Sequence, residues 1–164
     1  MGDFAELNVR FKLKIDTPEE IINLLEYMAM LRTKDPIEIP DHPLFEAQRW
    51  DFMLGTHSDP TGAPVKFSIF EKDRSDGSLF ICVRSVYKDR GEAALFFDWL
   101  YPFIDALWLE FLGYIKYDTN EHPQLIYYTD DGMRFISIKR DETENITKRE
   151  ITFDWGITDV TSQT

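Results

Sequence analysis

The chain has 164 residues, 43% hydrophobic and 15% aromatic, with thirty acids against eighteen bases for a formal charge of −12. Fifteen acids and nine bases fall in Met1–Cys82, and the same numbers in Val83–Thr164, so each half is −6 and the surplus is no tail. A field of that sign argues against nucleic acid or an anionic membrane as partner, and leaves solubility or a basic partner as its uses.

Leu7, Val9, Phe11, Leu13 and Ile15 alternate with Asn8, Arg10, Lys12 and Lys14, which predicts a strand with one buried face and a locally basic outer face. Asp16-Thr17-Pro18-Glu19-Glu20 predicts a helix start, with Thr17 as N-cap, Pro18 at N1 and Glu20 closing a capping box at N3. Ile21, Leu24, Leu25, Met28 and Leu31 supply the apolar stripe, and the helix is expected to end near Arg32, ahead of Pro36. Thr33–Arg49, with Pro36, Pro40 and Pro43, reads as a long acidic connection with one short turn at Pro43–Ala47 capped by Asp41.

Trp50–Leu54 reads as a short strand and Gly55–Pro64 as a loop. Val65, Phe67 and Ile69 predict another strand. The Asp73–Ser78 turn, with Gly77 taking positive φ, leads to a partner strand at Leu79–Tyr87. Asp89-Arg90-Gly91-Glu92 repeats the capping-box pattern, with Asp89 as N-cap and a helix from about Arg90. Its apolar face is Leu95, Phe96, Trp99, Leu100 and Phe103, its wet stripe Asp98 and Asp105, and Pro102 should kink or end it. Leu107–Leu112 fits helix and strand equally. Gly113–Tyr117, Gln124–Thr129 and Met133–Lys139 predict an antiparallel meander with a tight turn at Asp131-Gly132. Asp141–Asn145 reads as a polar turn, Glu150–Trp155 as a last strand and residues 160–164 as a frayed end.

The expected architecture is therefore a single α+β domain over residues 1–164, with one antiparallel sheet and two main helices on one face. The order is roughly βαββ-βαβββ(β), ferredoxin-like with additions. The stretch Ala93–Ile115 is apolar, but Asp98, Asp105, Glu110 and Pro102 interrupt it, so a soluble core element is expected rather than a membrane span. Cys82 is the only cysteine, and Met1–Glu6 has neither a basic nor an apolar signal region, which together lead to the expectation of a cytoplasmic protein. Asn145-Ile146-Thr147 is then a chance sequon.

No catalytic motif emerges from the sequence. His57-Ser58-Asp59 are adjacent, whereas a triad is defined by side chains converging in space. His42, His57 and His122 fall in separate loops without metal-ligand spacing. Asp118 and Glu121 should lie at the opposite end of the meander from Asp130 and Asp131. Cys82 shares a strand face with Phe80 and Arg84. The expectation is accordingly no catalytic residues, no metal and no cofactor.

The candidate contact surface combines Asp35, Glu38, Asp41 and Glu46 of the Pro-rich connection with Tyr114, Tyr117, Tyr127 and Tyr128 of the meander. Trp108 and Trp155 belong to the same aromatic-rich half. The reading is a non-catalytic, acidic, protein-binding domain, of the general type of an immunity or antitoxin-like inhibitor of a basic partner. Two alternatives stand beside it. One is a small-molecule-binding domain or small enzyme, with its pocket between sheet and helices or under the Thr33–Arg49 loop. The other is a self-associating structural subunit.

Overall fold

The computed structural model describes residues 3–32, 38–55, 67–140 and 149–152. Strand β1 (Asp3–Leu13) buries Ala5, Leu7, Val9, Phe11 and Leu13 and turns Glu6, Asn8, Arg10 and Lys12 to the other face. The strand begins ahead of Leu7, because Asp3–Lys12 pair without a break with Asp89–Phe80 of β3 (Leu79–Asp89). Ile15 lies beyond the strand and is exposed.

The remaining strands are β2 (Phe67–Lys72), β4 (Ile104–Asp105), β5 (Phe111–Tyr117), β6 (Gln124–Thr129), β7 (Gly132–Arg140) and β8 (Arg149–Thr152). The sheet order is β2-β3-β1-β5-β6-β7-β8, with the short β4 paired to the end of β1. Every described pairing is antiparallel, as the hairpin-rich sequence predicts. β1 is thus a central strand, and its basic outer face is the face away from the helices. Gly113 has φ +147 beside a bulge in β5, where an added Cβ would sit 2.0 Å from the Asn8 carbonyl oxygen. Only glycine lets β5 approach β1 so closely.

Helices α1 (Glu19–Met28) and α2 (Glu92–Leu100) pack on the face formed by the odd-numbered residues of β1 and β3. α1 contributes Ile21, Leu24, Leu25 and Met28; α2 contributes Ala93, Phe96, Phe97, Trp99 and Leu100. Each fully buried Leu or Phe here is worth about 1.5–3 kcal/mol of transfer free energy. Phe97, outside the expected apolar face, is wholly buried and meets Phe135 of β7 edge-on at 6.0 Å. α2 is therefore apolar around most of its girth, as a helix clamped between sheet and loop requires.

Four local expectations are corrected. The helix begins at Glu19, with Pro18 in the capping position and no side-chain cap; the Thr17 hydroxyl instead donates to the Lys14 carbonyl at 2.7 Å. It ends at Met28, and Met30 takes φ +59, so Leu31 leaves the stripe and is exposed. Trp50–Phe52 is a single 3₁₀ turn. Met53 and Leu54 that follow are both buried, which a strand with one buried face cannot provide. The Pro43–Glu46 turn is capped by His42, whose Nδ1 accepts from Leu44 N at 3.2 Å, and not by Asp41.

At α2 the expected pair acts, with the capping position displaced by two residues. Gly91 occupies the capping position at φ +106, the Asp89 carboxylate accepts from Ala93 N at 3.1 Å, and the Glu92 carboxylate reaches back to Arg90 N. Pro102 falls in a 3₁₀ turn directly after the helix, so it ends the helix rather than bending it. The β2–β3 hairpin has the expected turn, with Gly77 at φ +76 and the Asp73 carboxylate accepting from Ser75 N at 2.8 Å. The expectations at Val65, Asp141–Asn145, the 145–147 sequon, Trp155 and residues 160–164 lie outside the described residues.

Candidate protein-contact site

Between β4 and β5 the chain makes a tight turn, and sequence order alone puts Leu107, Trp108 and Leu109 at its tip. Glu110 N donates to the Leu107 carbonyl at 2.9 Å, and the Glu110 carboxylate accepts in return from Leu107 N at 2.9 Å. Leu109 N donates to the Tyr128 carbonyl at 2.8 Å and Tyr128 N to the Glu110 carbonyl at 3.0 Å, which ties the turn to β6. Leu109 sits at φ +61, a conformation that suits glycine and costs a leucine about 1–2 kcal/mol. The four hydrogen bonds hold the chain in that shape.

The turn presents apolar surface to water. Leu107 is 79% exposed and Trp108 59% exposed. Phe111, next along the chain, is also exposed and meets Tyr127 at 5.4 Å on the outer face of the sheet. Asp105, Glu110 and Asp130 are exposed around this knuckle. Asp105 and Asp130 both lie close enough to the Tyr128 hydroxyl to help retain its proton. Burial is the first cause of that shift and the Tyr101 contact the next; together they push Tyr128 up to about 12. Tyr101 stacks on Tyr128 at 5.0 Å and donates to the Thr129 carbonyl at 2.8 Å, fixing the floor under the turn.

The expected contact residues do not share one surface. Tyr114 and Tyr127 belong to the outer face, and Tyr117 and Tyr128 to the helix side, as the pairing register dictates. Tyr114 donates to Glu6 at 2.6 Å, and Glu6 also meets Arg84 at 3.1 Å, so Tyr114 is part of a polar network on the sheet. Partial burial, then the Glu6 bond, raises its hydroxyl above the usual tyrosine range. Tyr117 donates to Asp89 at 2.6 Å at the start of α2. Glu38, Asp41 and Glu46 are exposed, Glu46 on the rim of a cleft against α2, and Asp35 lies outside the described residues.

Leu107 and Glu110 were not singled out by sequence. Five of the six residues in Leu107–Leu112 are apolar, and so nearly uniform a run carries no period that could tell wet from buried positions.

The other chemically capable groups are engaged elsewhere. His42 Nε2 lies 3.3 Å from the Asp98 carboxylate, so with Nδ1 accepting from Leu44 it is the donor of that pair. His122 lies 3.8 Å from Glu121. His57, Ser58 and Asp59 lie outside the described residues. Among the described residues, no three His, Cys, Asp or Glu side chains gather as a metal would need. Cys82 is half-buried on the outer face between Arg10 and Ile69, and the Arg84 guanidinium meets Glu6. Among the described residues, no helix is long and apolar enough to cross a membrane.

No protein-family model, no curated protein and no solved structure matches the chain.

Proposed function

We propose that this chain is a non-catalytic protein-binding domain that engages a basic partner through the Leu107–Phe111 knuckle. The observation that carries the reading is the rigidly held, solvent-facing pair Leu107 and Trp108, kept in place at the cost of a leucine in the left-handed region. Backbone strain at Leu109, next to an exposed tryptophan, points to a use for that shape. Tryptophan is the residue that most often dominates binding energy at the centre of an interface. The acids Asp105, Glu110 and Asp130 then form a rim that matches lysine and arginine around a partner's apolar pocket, and the net charge of −12 speeds encounter. The single cysteine agrees with a reducing compartment.

Capture from lysate at low and high salt, followed by titration of the purified partner, tests this. The expected partner is basic and bound more weakly at high salt. Trp108→Ala should cost about 2 kcal/mol or more in affinity, a loss of roughly thirtyfold, with the fold intact. Asp130→Lys should slow association while leaving dissociation nearly unchanged. Equal affinity of wild type and Trp108→Ala for the same partner would overturn the assignment of the knuckle.

A further inference from the structure

We propose that the cleft between the Pro43–Phe52 segment and the start of α2 binds a free α-amino acid through its carboxylate. This goes beyond the protein-contact reading and rests on other residues. The cleft holds about 250 Å³ and is lined by Glu46, Ala47, Gln48, Arg49, Arg90, Glu92 and Leu95. Arg49, half-buried, lines the cleft, and its Nη1 is buried with no hydrogen-bond partner. Among the described residues, neither Arg49 nor Arg90 forms an ion pair, in a chain whose acids outnumber its bases thirty to eighteen. Two arginines without an ion pair on the lining of one cleft, one of them with an unsatisfied donor, suit a planar carboxylate, which accepts parallel hydrogen bonds from guanidinium groups.

The acids on the same two walls set the rest of the ligand. Glu92 is 3% exposed, and its carboxylate is oriented by the bond from Arg90 N; Glu46 stands at the rim. These carboxylates attract an ammonium group and disfavour a dianion such as phosphate. Ala47 and Leu95 offer a small apolar wall for a side chain. The volume admits a single amino acid and is too small for a nucleotide. The competing use of Arg49 is internal. Asp51 Oδ1 is also buried without a partner, two residues away, and a pair between them would be structural.

The test is amide NMR of the full chain titrated with L-leucine, leucine methyl ester, 4-methylpentanoate and inorganic phosphate. With L-leucine, shifts are expected at residues 46–49 and 90–95. The ester, which lacks the carboxylate, and the acid, which lacks the ammonium, should each bind at least about tenfold more weakly. Phosphate should bind more weakly still. Arg49→Met should abolish the shifts with the rest of the spectrum retained, and Arg49→Lys should weaken them. Should Arg49→Met unfold, Arg90→Met and Glu46→Gln on the exposed rim carry the same test. Any of three results would overturn the proposal: no local shifts at tens of millimolar leucine, equal binding of the methyl ester, or leucine binding unchanged in the Arg49 or rim variants. Equal destabilisation by Arg49→Met and Asp51→Asn without loss of a leucine response would assign Arg49 to the internal pair.

Discussion

At the amino end of α1, Pro18, Glu19 and Glu20 stand in water and Thr17 is half-buried, no side chain caps the helix, and the first bonds run from Ile21 N and Ile22 N to the Pro18 carbonyl. At the amino end of α2, Asp89 and Glu92 are each 3% exposed, and both carboxylates accept backbone hydrogen bonds. The two segments carry the same capping pattern in sequence, and tertiary surroundings separate them. Asp89 is the last residue of the central-sheet strand β3, so its side chain is anchored before the helix begins and also accepts from Tyr117 of β5. Thr17 instead closes the preceding turn, donating both its backbone N and its hydroxyl to the Lys14 carbonyl. α1 is thus held by its apolar stripe and the Tyr27–Trp50 contact, whereas α2 is held by its stripe and by a buried polar junction to two strands.

Removing the centre of that junction should give the largest effect. Asp89→Ala strands Ala93 N and the Tyr117 hydroxyl and should cost about 3 kcal/mol in urea unfolding, with Asp89→Asn costing roughly half as much. A loss below about 1 kcal/mol would mean that the junction contributes no more than an ordinary surface cap.

The same junction should show in alkaline unfolding. Tyr87 is fully buried beside it, and burial first, then the Asp89 charge, raises its hydroxyl well above the usual tyrosine value of 10.0. The fold therefore keeps a proton that the unfolded chain releases. Stability is fully present below pH 10 and declines as pH rises beyond it. Tyr87→Phe should flatten that decline. Tyr128→Phe should remove a separate component that ends at about 12. Identical alkaline curves for wild type and Tyr87→Phe would sink the assignment.

Gly91→Ala forces an L side chain to φ +106 and should cost about 1–2 kcal/mol, although open space surrounds the position. Pro18→Ala at the corresponding place in α1 should cost about 0.5 kcal/mol or less, because only unfolded-state entropy changes. The smallest effect belongs to Thr17→Ala, expected within about 0.5 kcal/mol, since its hydroxyl bond is exposed and closes a turn rather than a helix. A cost near 1 kcal/mol would restore Thr17 as a true cap.

Periodicity reached some parts of this molecule and not others. The odd-numbered residues of β1 and the stripe of α1 were legible because alternation and helical spacing are properties of neighbouring residues. Asp131-Gly132 and Gly77 were legible because turn chemistry is local, and both turns form. Trp50–Leu54 misled for the converse reason: its aromatic and aliphatic residues resemble a strand. Yet Trp50 is used as a wedge, meeting Phe45 at 5.0 Å and Tyr27 at 5.9 Å. The contact site was half legible. Aromatic richness pointed to the meander and included Trp108 and Tyr127, but nothing in the order of residues tells that Leu107 and Trp108 face water while Leu112 is buried.

By itself the sequence determined the α+β class, the antiparallel hairpins, the strand-then-helix beginning and the acidic charge, all of which follow from short-range patterns and composition. Only the tertiary structure decided that β1 is central, that Asp89 and not Thr17 anchors a helix, that the four tyrosines divide between two faces, and that Arg49 lines one cleft with Arg90 and Glu92. Those outcomes depend on which distant segments pair and what each burial leaves unsatisfied, and long-range pairing carries no signature in the spacing of adjacent residues.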